Sequence, residues 1–440
     1  MTNLVRGLGF TSALLFVINS SVGAGIFIVA SEMAKIVPSP GLILLVWFAA
    51  GVISLIGGLV VAELGAMFPE SGGPYNFLKE AFHPALGFLF GWAQILVVLP
   101  GSVAGVSIAF AKFTSKLIPL DPLQMKLTAT ALLTGLTILN TFGLKKGAKL
   151  GDIVTPTKMI AIIGFAIAGV FFAKGQPISF DFVSENSNDS WATTLSSFSI
   201  ALIGAFWAFD GWAYLSFIAG EVKNPKKTIP LALALGLTTV TLLYLIPTWT
   251  YYRVLPYEAI TGSEFVAADA AQVIAGPLGA KIMALLVAIS ALGCANSVVI
   301  AGARMSYAMA SSGTFPKFFS KVDPKTLSPN RSLVFQLCWT LVLVWSGSFA
   351  QLLTYVIFAE YLFYGLNALA LIRLRISRPS VNRPFKIPFY PILPALYIAF
   401  IIAFSMNSII KQPAESLTGL GLILLGLPFY AYITKKHKVK

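Results

Sequence analysis

Charge is scarce in this chain. Only 11% of its 440 residues are Asp, Glu, Lys or Arg, against 57% hydrophobic. A soluble globular domain carries about 25% charged residues, so a soluble fold is excluded. Cysteine is nearly absent: Cys294 and Cys338, both in apolar stretches, supply neither a disulfide framework nor a metal-ligand set and read as small core residues. The two histidines, His83 and His437, fall in a loop and in the tail and are given no role. The sequence has no G-x-x-x-x-G-K-[ST] phosphate loop, no cluster of metal ligands and no nucleophile–base–acid constellation. ATP hydrolysis, a metal, a cofactor and enzymatic chemistry are therefore not expected.

Long apolar runs dominate instead. A bilayer core requires about 20 apolar residues per helix, and twelve such spans can be drawn, at about 8–34, 40–66, 84–111, 127–144, 151–173, 194–219, 228–251, 279–302, 332–347, 350–373, 388–410 and 417–434. The runs are continuous, not alternating as in a β-barrel. The first is too long for a cleavable signal peptide and no small-residue cleavage site follows it. One membrane domain, 1–440, is expected, all-α and integral to the membrane.

Acid is scarcer than base, 17 residues against 31, for a net charge of +14. The placement of the bases is systematic. With the N-terminus inside, the cytoplasmic segments hold Arg6, Lys79, Lys145, Lys146, Lys149, Lys223, Lys226, Lys227, Arg304, Lys317, Lys321, Lys325, Arg331, the run from Arg373 to Lys386, and the tail from Lys435 to Lys440. Opposite connections carry Asp181, Glu185 and Asp189, then Glu258, Glu264 and Asp269. The positive-inside rule puts both termini in the cytoplasm. The surplus charge thus orients the chain, and nucleic acid is not needed to explain it.

Two spans are interrupted at mid-depth. The first reads Asn19-Ser20-Ser21-Val22-Gly23-Ala24-Gly25-Ile26-Phe27, and the sixth reads Trp207-Ala208-Phe209-Asp210-Gly211-Trp212-Ala213-Tyr214. Glycine weakens a helix by roughly 1 kcal/mol relative to alanine, and a charged acid at the bilayer centre costs roughly 2.5–3.5 kcal/mol on insertion scales. Unwound backbone is tolerated in a membrane only where protein or a wet cavity satisfies it. Paired interruptions in corresponding spans of two halves point to a transporter binding site. The half-helix after Gly23-Ala24-Gly25 offers free N–H groups to a carboxylate. Carbonyls around Ser20, Ser21, Trp207, Ala208 and Asp210 suit an ammonium. The alternative is that the glycines only permit close helix packing.

At this point the chain resembles the amino acid–polyamine–organocation transporters. The resemblance is carried by Gly23-Ala24-Gly25-Ile26-Phe27, by Ala62-Glu63-Leu64-Gly65 followed by Phe68-Pro69 and Ser71-Gly72-Gly73-Pro74-Tyr75, and by Phe206 to Tyr214 with Glu221-Val222-Lys223-Asn224-Pro225-Lys226. Arg383-Pro384-Phe385-Lys386-Ile387-Pro388 is similar to the start of helix eleven in the L-type amino acid transporter branch, and the whole looks like a bacterial member. The resemblance implies a LeuT-type fold of twelve transmembrane helices: a 5+5 inverted repeat (8–174 and 194–373) plus two extra helices (388–434), working by alternating access in the cell's inner (plasma) membrane. It implies that a free L-amino acid, neutral or cationic, rests its carboxylate on N–H groups near Ala24, Gly25 and Ile26. The amine then lies near carbonyls of Ser21, Trp207, Ala208 and Asp210, and Trp207 is the aromatic gate.

The resemblance also implies that Lys158 replaces a sodium ion, which makes transport sodium-independent; from the residues alone, Lys158 could equally snorkel to the interface. Asp210 either pairs with a cationic substrate side chain or hydrogen-bonds freed backbone. Glu360 is an intramembrane acid that either neutralises a cation, carries a proton, or packs against Tyr361 or Asn367. Arg304 reads as an interfacial anchor. Gln94, Ser102, Ala213 and Asn296 are candidate lining residues. The connection Lys112–Lys126 has no cysteine, so no disulfide-linked heavy subunit is expected. The leading expectation is a sodium-independent amino acid exchanger; the alternative is a proton-coupled amino acid or polyamine symporter.

Overall fold

A computed structural model describes residues 4–37, 39–172, 178, 191–347 and 349–438. The polar connection expected at Phe180 to Trp191, with Asp181, Glu185 and Asp189, and the last tail residues lie outside the described residues, Trp191 itself excepted. Among the described residues there are helices and a single isolated bridge, Leu8 to Val222, and no strand.

The first span is broken as its glycines require: α1 (Phe10–Ser21) and α2 (Gly25–Ile36) are separated by three residues. Ser39 caps the next helix, accepting from the Leu42 N–H at 3.4 Å, with Pro40 at its first position, where the missing N–H costs nothing. That helix, α3 (Pro40–Met67), is continuous. The amphipathic piece expected within 68–84 is α4 (Pro74–Ala81). Then come α5 (Pro84–Ala93), a π-turn at Gln94–Val98, and α6 (Leu99–Thr114). Pro100 lacks the N–H that would bond the Leu96 carbonyl; the Trp339 indole donates to that carbonyl instead, at 2.8 Å.

A capping box of Asp121 and Gln124 opens α7 (Pro122–Thr141), and Gly143 at φ +103° turns the chain into α8 (Leu144–Phe172). The second break follows α9 (Trp191–Phe209). After it, α10 (Tyr214–Phe217) is a single turn, leading through a 3-10 turn to α11 (Pro225–Val254) and α12 (Tyr257–Thr261). The longest helix, α13 (Val266–Ser311), is kinked at Gly276, φ +66°. The remaining helices are α14 (Asn330–Ser346), α15 (Phe349–Ser377), α16 (Ile392–Lys411), α17 (Pro413–Leu424) and α18 (Gly426–Lys438).

Eight of these segments are long and apolar enough to cross a membrane, and Thr193–Phe209 is apolar but shorter. Burial ranks them. The first span is 83% buried in its apolar window, the last, Pro413–Lys435, only 17%. The broken span therefore lies at the centre of the bundle and the final helices at its rim.

Two buried ion pairs hold the end that carries the basic connections. Arg304 is fully buried and meets Glu221 at 2.7 Å, so it is not the interfacial anchor expected from its position near a helix end. The Glu221 carbonyl in turn accepts the N–H groups of Gly7 and Leu8. Glu63 receives Arg375 in a two-pronged contact at 2.8 and 2.6 Å, and the Ile387 N–H at 2.7 Å, with Arg383 at 3.7 Å. Two motifs distant in sequence, Ala62-Glu63 and Arg383 to Ile387, are thus one structural unit. Removing one partner of such a pair leaves a buried charge, which costs about 3–5 kcal/mol. The opposite end is fastened more lightly. Lys112 meets Glu264 at 3.0 Å with both side chains exposed, and this contact holds the Glu264 carboxyl below its usual range.

Candidate functional site

Glycines let the two breaks touch. A Cβ on Gly25 would lie 2.9 Å from both the Cα and Cβ of Ala208. A Cβ on Gly211, whose φ is +107°, would lie 2.5 Å from the Ser20 carbonyl oxygen. Each break therefore presents a glycine to the backbone of the other. Close packing, the bland reading of the glycines, is real, and here it occurs at the point where both helices unwind.

The carbonyls freed by the first break are met by side chains from other helices. Lys158 of α8, only 2% exposed, donates to Asn19 O at 3.3 Å and to Val22 O in a still shorter contact. Lys158 is thus pointed inward, and snorkelling is ruled out. Ser290 of α13 donates to Val22 O and Gly23 O, both at 3.0 Å. Cys294 contacts Ser20 O at 3.2 Å. The Tyr244 hydroxyl of α11 bridges the breaks, 2.8 Å from Ser21 O and 2.6 Å from Ala208 O. Asn19 reaches across to Gly293 O at 2.7 Å and Ser297 Oγ at 3.0 Å. By contrast, the N–H groups of Ala24, Gly25 and Ile26 find no acceptor among the described residues. An unsatisfied buried donor costs about 1–3 kcal/mol, and open N–H groups at a helix start are chemically suited to an anion.

The second break carries an acid, Asp210, which faces a second acid, Glu360 of α15. Tyr214, one turn beyond Asp210, donates to Asp210 Oδ2 at 2.8 Å. The Tyr364 hydroxyl sits 3.3 Å from Asp210 Oδ1 and 2.9 Å from Glu360 Oε1. Gln94, in the π-turn, donates to the same Glu360 oxygen at 3.1 Å. Glu360 therefore does not use Tyr361 or Asn367, the partners expected from sequence. Tyr364 is four residues along the same helix and shares its face, whereas Tyr361 points about 100° away. No Lys or Arg lies within ion-pair reach of Asp210 or Glu360 among the described residues.

Between the breaks lies a cavity of about 30 Å³, lined among others by Ser20, Ser21, Ala24, Gly25, Trp207, Ala208, Asp210 and Ser102. That is room for on the order of one or two waters and is too small for an amino acid. The Trp207 ring lies 3.6 Å from where a Gly25 Cβ would be and forms one wall. A larger occupant requires Trp207 or the start of α2 to move.

Most of the residues expected from sequence thus converge. Ile26 contributes its N–H to the unpaired cluster without lining the cavity. Ala213 is not in the wall either. Asn296 faces elsewhere: it accepts from Asn140 at 2.8 Å and donates to Gly147 O at 2.9 Å, tying α13 to α7 and α8. Cys338 is exposed on α14, not in a core. Asn19, Tyr244, Ser290, Cys294 and Tyr214 were missed. Ser290, Cys294 and Ser297 recur at i, i+4 and i+7, the spacing of one helix face, which could have been read. Tyr244, alone in an apolar run, gave no such signal.

A family model described as amino acid permease matches residues 8–427. The chain is 32% identical to the b(0,+)-type amino acid transporter 1 of Mus musculus, covering 98% of this chain and 88% of the relative. It is 30% identical to the cystine/glutamate transporter of Homo sapiens, covering 94% and 82%. It is also 30% identical to the large neutral amino acids transporter small subunit 2 of Rattus norvegicus, covering 99% and 82%. With two interrupted apolar helices joined at their glycines and a match over nearly its whole length, the chain belongs to the amino acid permease family of multi-pass membrane transporters.

Proposed function

We propose that this permease is a sodium-independent amino acid exchanger that works by alternating access. The reading includes a LeuT-type arrangement of twelve spans, with 8–174 and 194–373 as inverted repeats, 388–434 as added helices, and both termini on the cytoplasmic side of the cell membrane. The observation that carries it is the Lys158 ammonium, lodged against the Asn19 and Val22 carbonyls of the first break. A fixed cation there fills the coordination that a mobile sodium ion would take from the same carbonyls. In this reading the substrate carboxylate binds the unpaired N–H groups of Ala24, Gly25 and Ile26. Its ammonium takes the remaining lone pairs of the Trp207, Ala208 and Asp210 carbonyls; each carbonyl oxygen has two, Tyr244 uses one on Ala208, and Ser21 O, expected in the same role, is already filled by Tyr244 at 2.8 Å and the Gly23 N–H at 2.9 Å.

The test is uptake of a radiolabelled amino acid into proteoliposomes, with and without internal amino acid, in sodium and in choline media. Exchange requires internal substrate and is indifferent to sodium. Uptake that is driven by a proton gradient with nothing inside would replace this reading with the symporter. Asp210 and Glu360 are joined through Tyr364, with no Lys or Arg in ion-pair reach among the described residues. That arrangement favours a substrate with a positively charged side chain, and failure of arginine and lysine to compete with a neutral amino acid would exclude it.

A further inference from the structure

A second cavity, of about 510 Å³, lies at the end that carries the basic connections. Its walls come from four separate stretches: the N-terminal segment, the α7–α8 turn, the link after α10 and the loop before α14. Each contributes cations: Arg6, Lys145 and Lys146, Lys223, and Lys325. None of the five makes an ion pair among the described residues. The only acid in the wall, Glu221, is already neutralised by Arg304 at 2.7 Å. The nearest acid on the loop, Asp323, is turned into that loop, accepting the N–H groups of Lys325 and Thr326 at 2.9 Å each.

The local backbone makes the same demand. The first turn of α8 contains no acid but two lysines, the wrong sign for the positive end of a helix dipole. The Leu144 and Lys145 N–H groups, at the cavity wall, find no backbone acceptor. The positive-inside rule explains why these connections are basic; it does not explain why four of them converge on one hollow with no counter-charge.

We propose that this cavity binds a phosphate-bearing anion, either free in solution or as the headgroup of an anionic phospholipid. Phosphate matches the site because several cations and backbone donors can share its oxygens. The two sides of the cavity also differ in what they lead to. Leu8 and Lys223, linked by the Lys223 N–H to Leu8 O bond at 2.8 Å, run into α1 and out of α10, next to the two breaks. The other wall, in which a Gly143 Cβ would lie 2.6 Å from Thr326 O, belongs to α7, α8 and the approach to α14. An anion in between ties the breaks to the unbroken helices.

The test uses the full chain in two arms. In detergent, thermal unfolding is followed while inorganic phosphate replaces chloride at fixed ionic strength. In vesicles, unfolding is compared between phosphatidylcholine alone and phosphatidylcholine with phosphatidic acid. Stabilisation of the wild type by phosphate identifies a soluble ligand, and stabilisation only by phosphatidic acid identifies the lipid; either supports the proposal. The triple variant Lys145→Gln/Lys146→Gln/Lys325→Gln should bind the effective probe ~10-fold or more weakly, since charge-assisted contacts are lost, with exchange in phosphatidylcholine vesicles unchanged. The charge-matched control Lys226→Gln/Lys227→Gln/Lys386→Gln, exposed but outside the cavity, should retain the response. No stabilisation of the wild type by either probe, or equal loss in both variants, would overturn it. If the triple variant is not monodisperse, Lys325→Gln, on a loop, carries the same comparison.

Discussion

The two breaks share one external donor, the Tyr244 hydroxyl, but differ in what else surrounds them. In the first, the side chains that meet freed carbonyls come from other helices: Lys158 from α8, Ser290 and Cys294 from α13, Tyr244 from α11. Of its own N–H groups, Gly23 turns back to Ser21 O at 2.9 Å, while those of Ala24, Gly25 and Ile26 stay open. In the second, the Asp210 N–H returns to Phe206 O at 2.9 Å, and the polar side chains present are carboxylates and the tyrosines that serve them. The first break leaves the N–H groups of Ala24, Gly25 and Ile26 open; the second sets the Asp210 acid among tyrosines. On the proposed reading the open donors take the carboxylate common to all substrates, and the variable end of a substrate family lies beside the break whose groups can change partners.

The sharpest way to break this contrast is Gly25→Val. The added carbons would overlap the Ala208 backbone, 2.9 Å from where the Cβ would sit, and overpacking costs ~1–3 kcal/mol, equivalent to ~5–160-fold. The expected result is loss of exchange by ~100-fold for every amino acid in a panel, with the purified variant still monodisperse. Loss for some substrates only would mean that the first break is not the common receptor.

Lys158→Ala is next. Val22 O keeps Ser290, but Asn19 O loses its donor, and a buried orphan costs about 1–3 kcal/mol. Exchange should fall ~30-fold, the midpoint of that range. The fall should be equal across substrates, measured as initial rates of counterflow. A wild-type rate would remove the argument for sodium independence.

The contrast was half legible in the sequence. Glycine pairs and an acid inside apolar runs are conspicuous because they violate the composition of a lipid-facing helix, so the breaks and Asp210 could be named. Lys158 could be noticed but not aimed, because a lysine near a span's end can point either way. Tyr244 and Gln94 were illegible in role: the first is a common residue in an apolar helix, and the second, in the π-turn, meets Glu360 from a helix 266 residues away. Arg304 was misplaced for the opposite reason. Its position near a helix end suggested an interface, but its partner Glu221 lies 83 residues away, a separation no local pattern reveals.

Tyr244→Phe tests whether the breaks act independently. It removes one hydroxyl and the two contacts that join Ser21 O to Ala208 O, leaving the ring packed against Trp47 and Phe209. A net hydrogen bond is worth about 0.5–1.5 kcal/mol, so exchange should fall ~3–10-fold. If the breaks are separable, this loss and that of Lys158→Ala add in the double variant; strong non-additivity would mean a single coupled site.

The smallest effect expected is that of Tyr214→Phe, and it should differ in kind. Asp210 would lose the 2.8 Å donor but keep Tyr364 at 3.3 Å, so the carboxylate is loosened, not orphaned. Its pull on a neighbouring positive group should rise, because one competing donor is gone. Neutral amino acids, which on this reading touch only the backbone of both breaks, should exchange within ~2-fold of wild type, because the Tyr214 ring that lines the cavity is kept and only its hydroxyl is lost. Arginine and lysine should compete ~3–5-fold better, about 1 kcal/mol of relieved competition. Competition curves against a labelled neutral amino acid measure both at once. A uniform change for neutral and cationic competitors alike would place Asp210 among the groups that merely support the backbone, and the two breaks would then share one role.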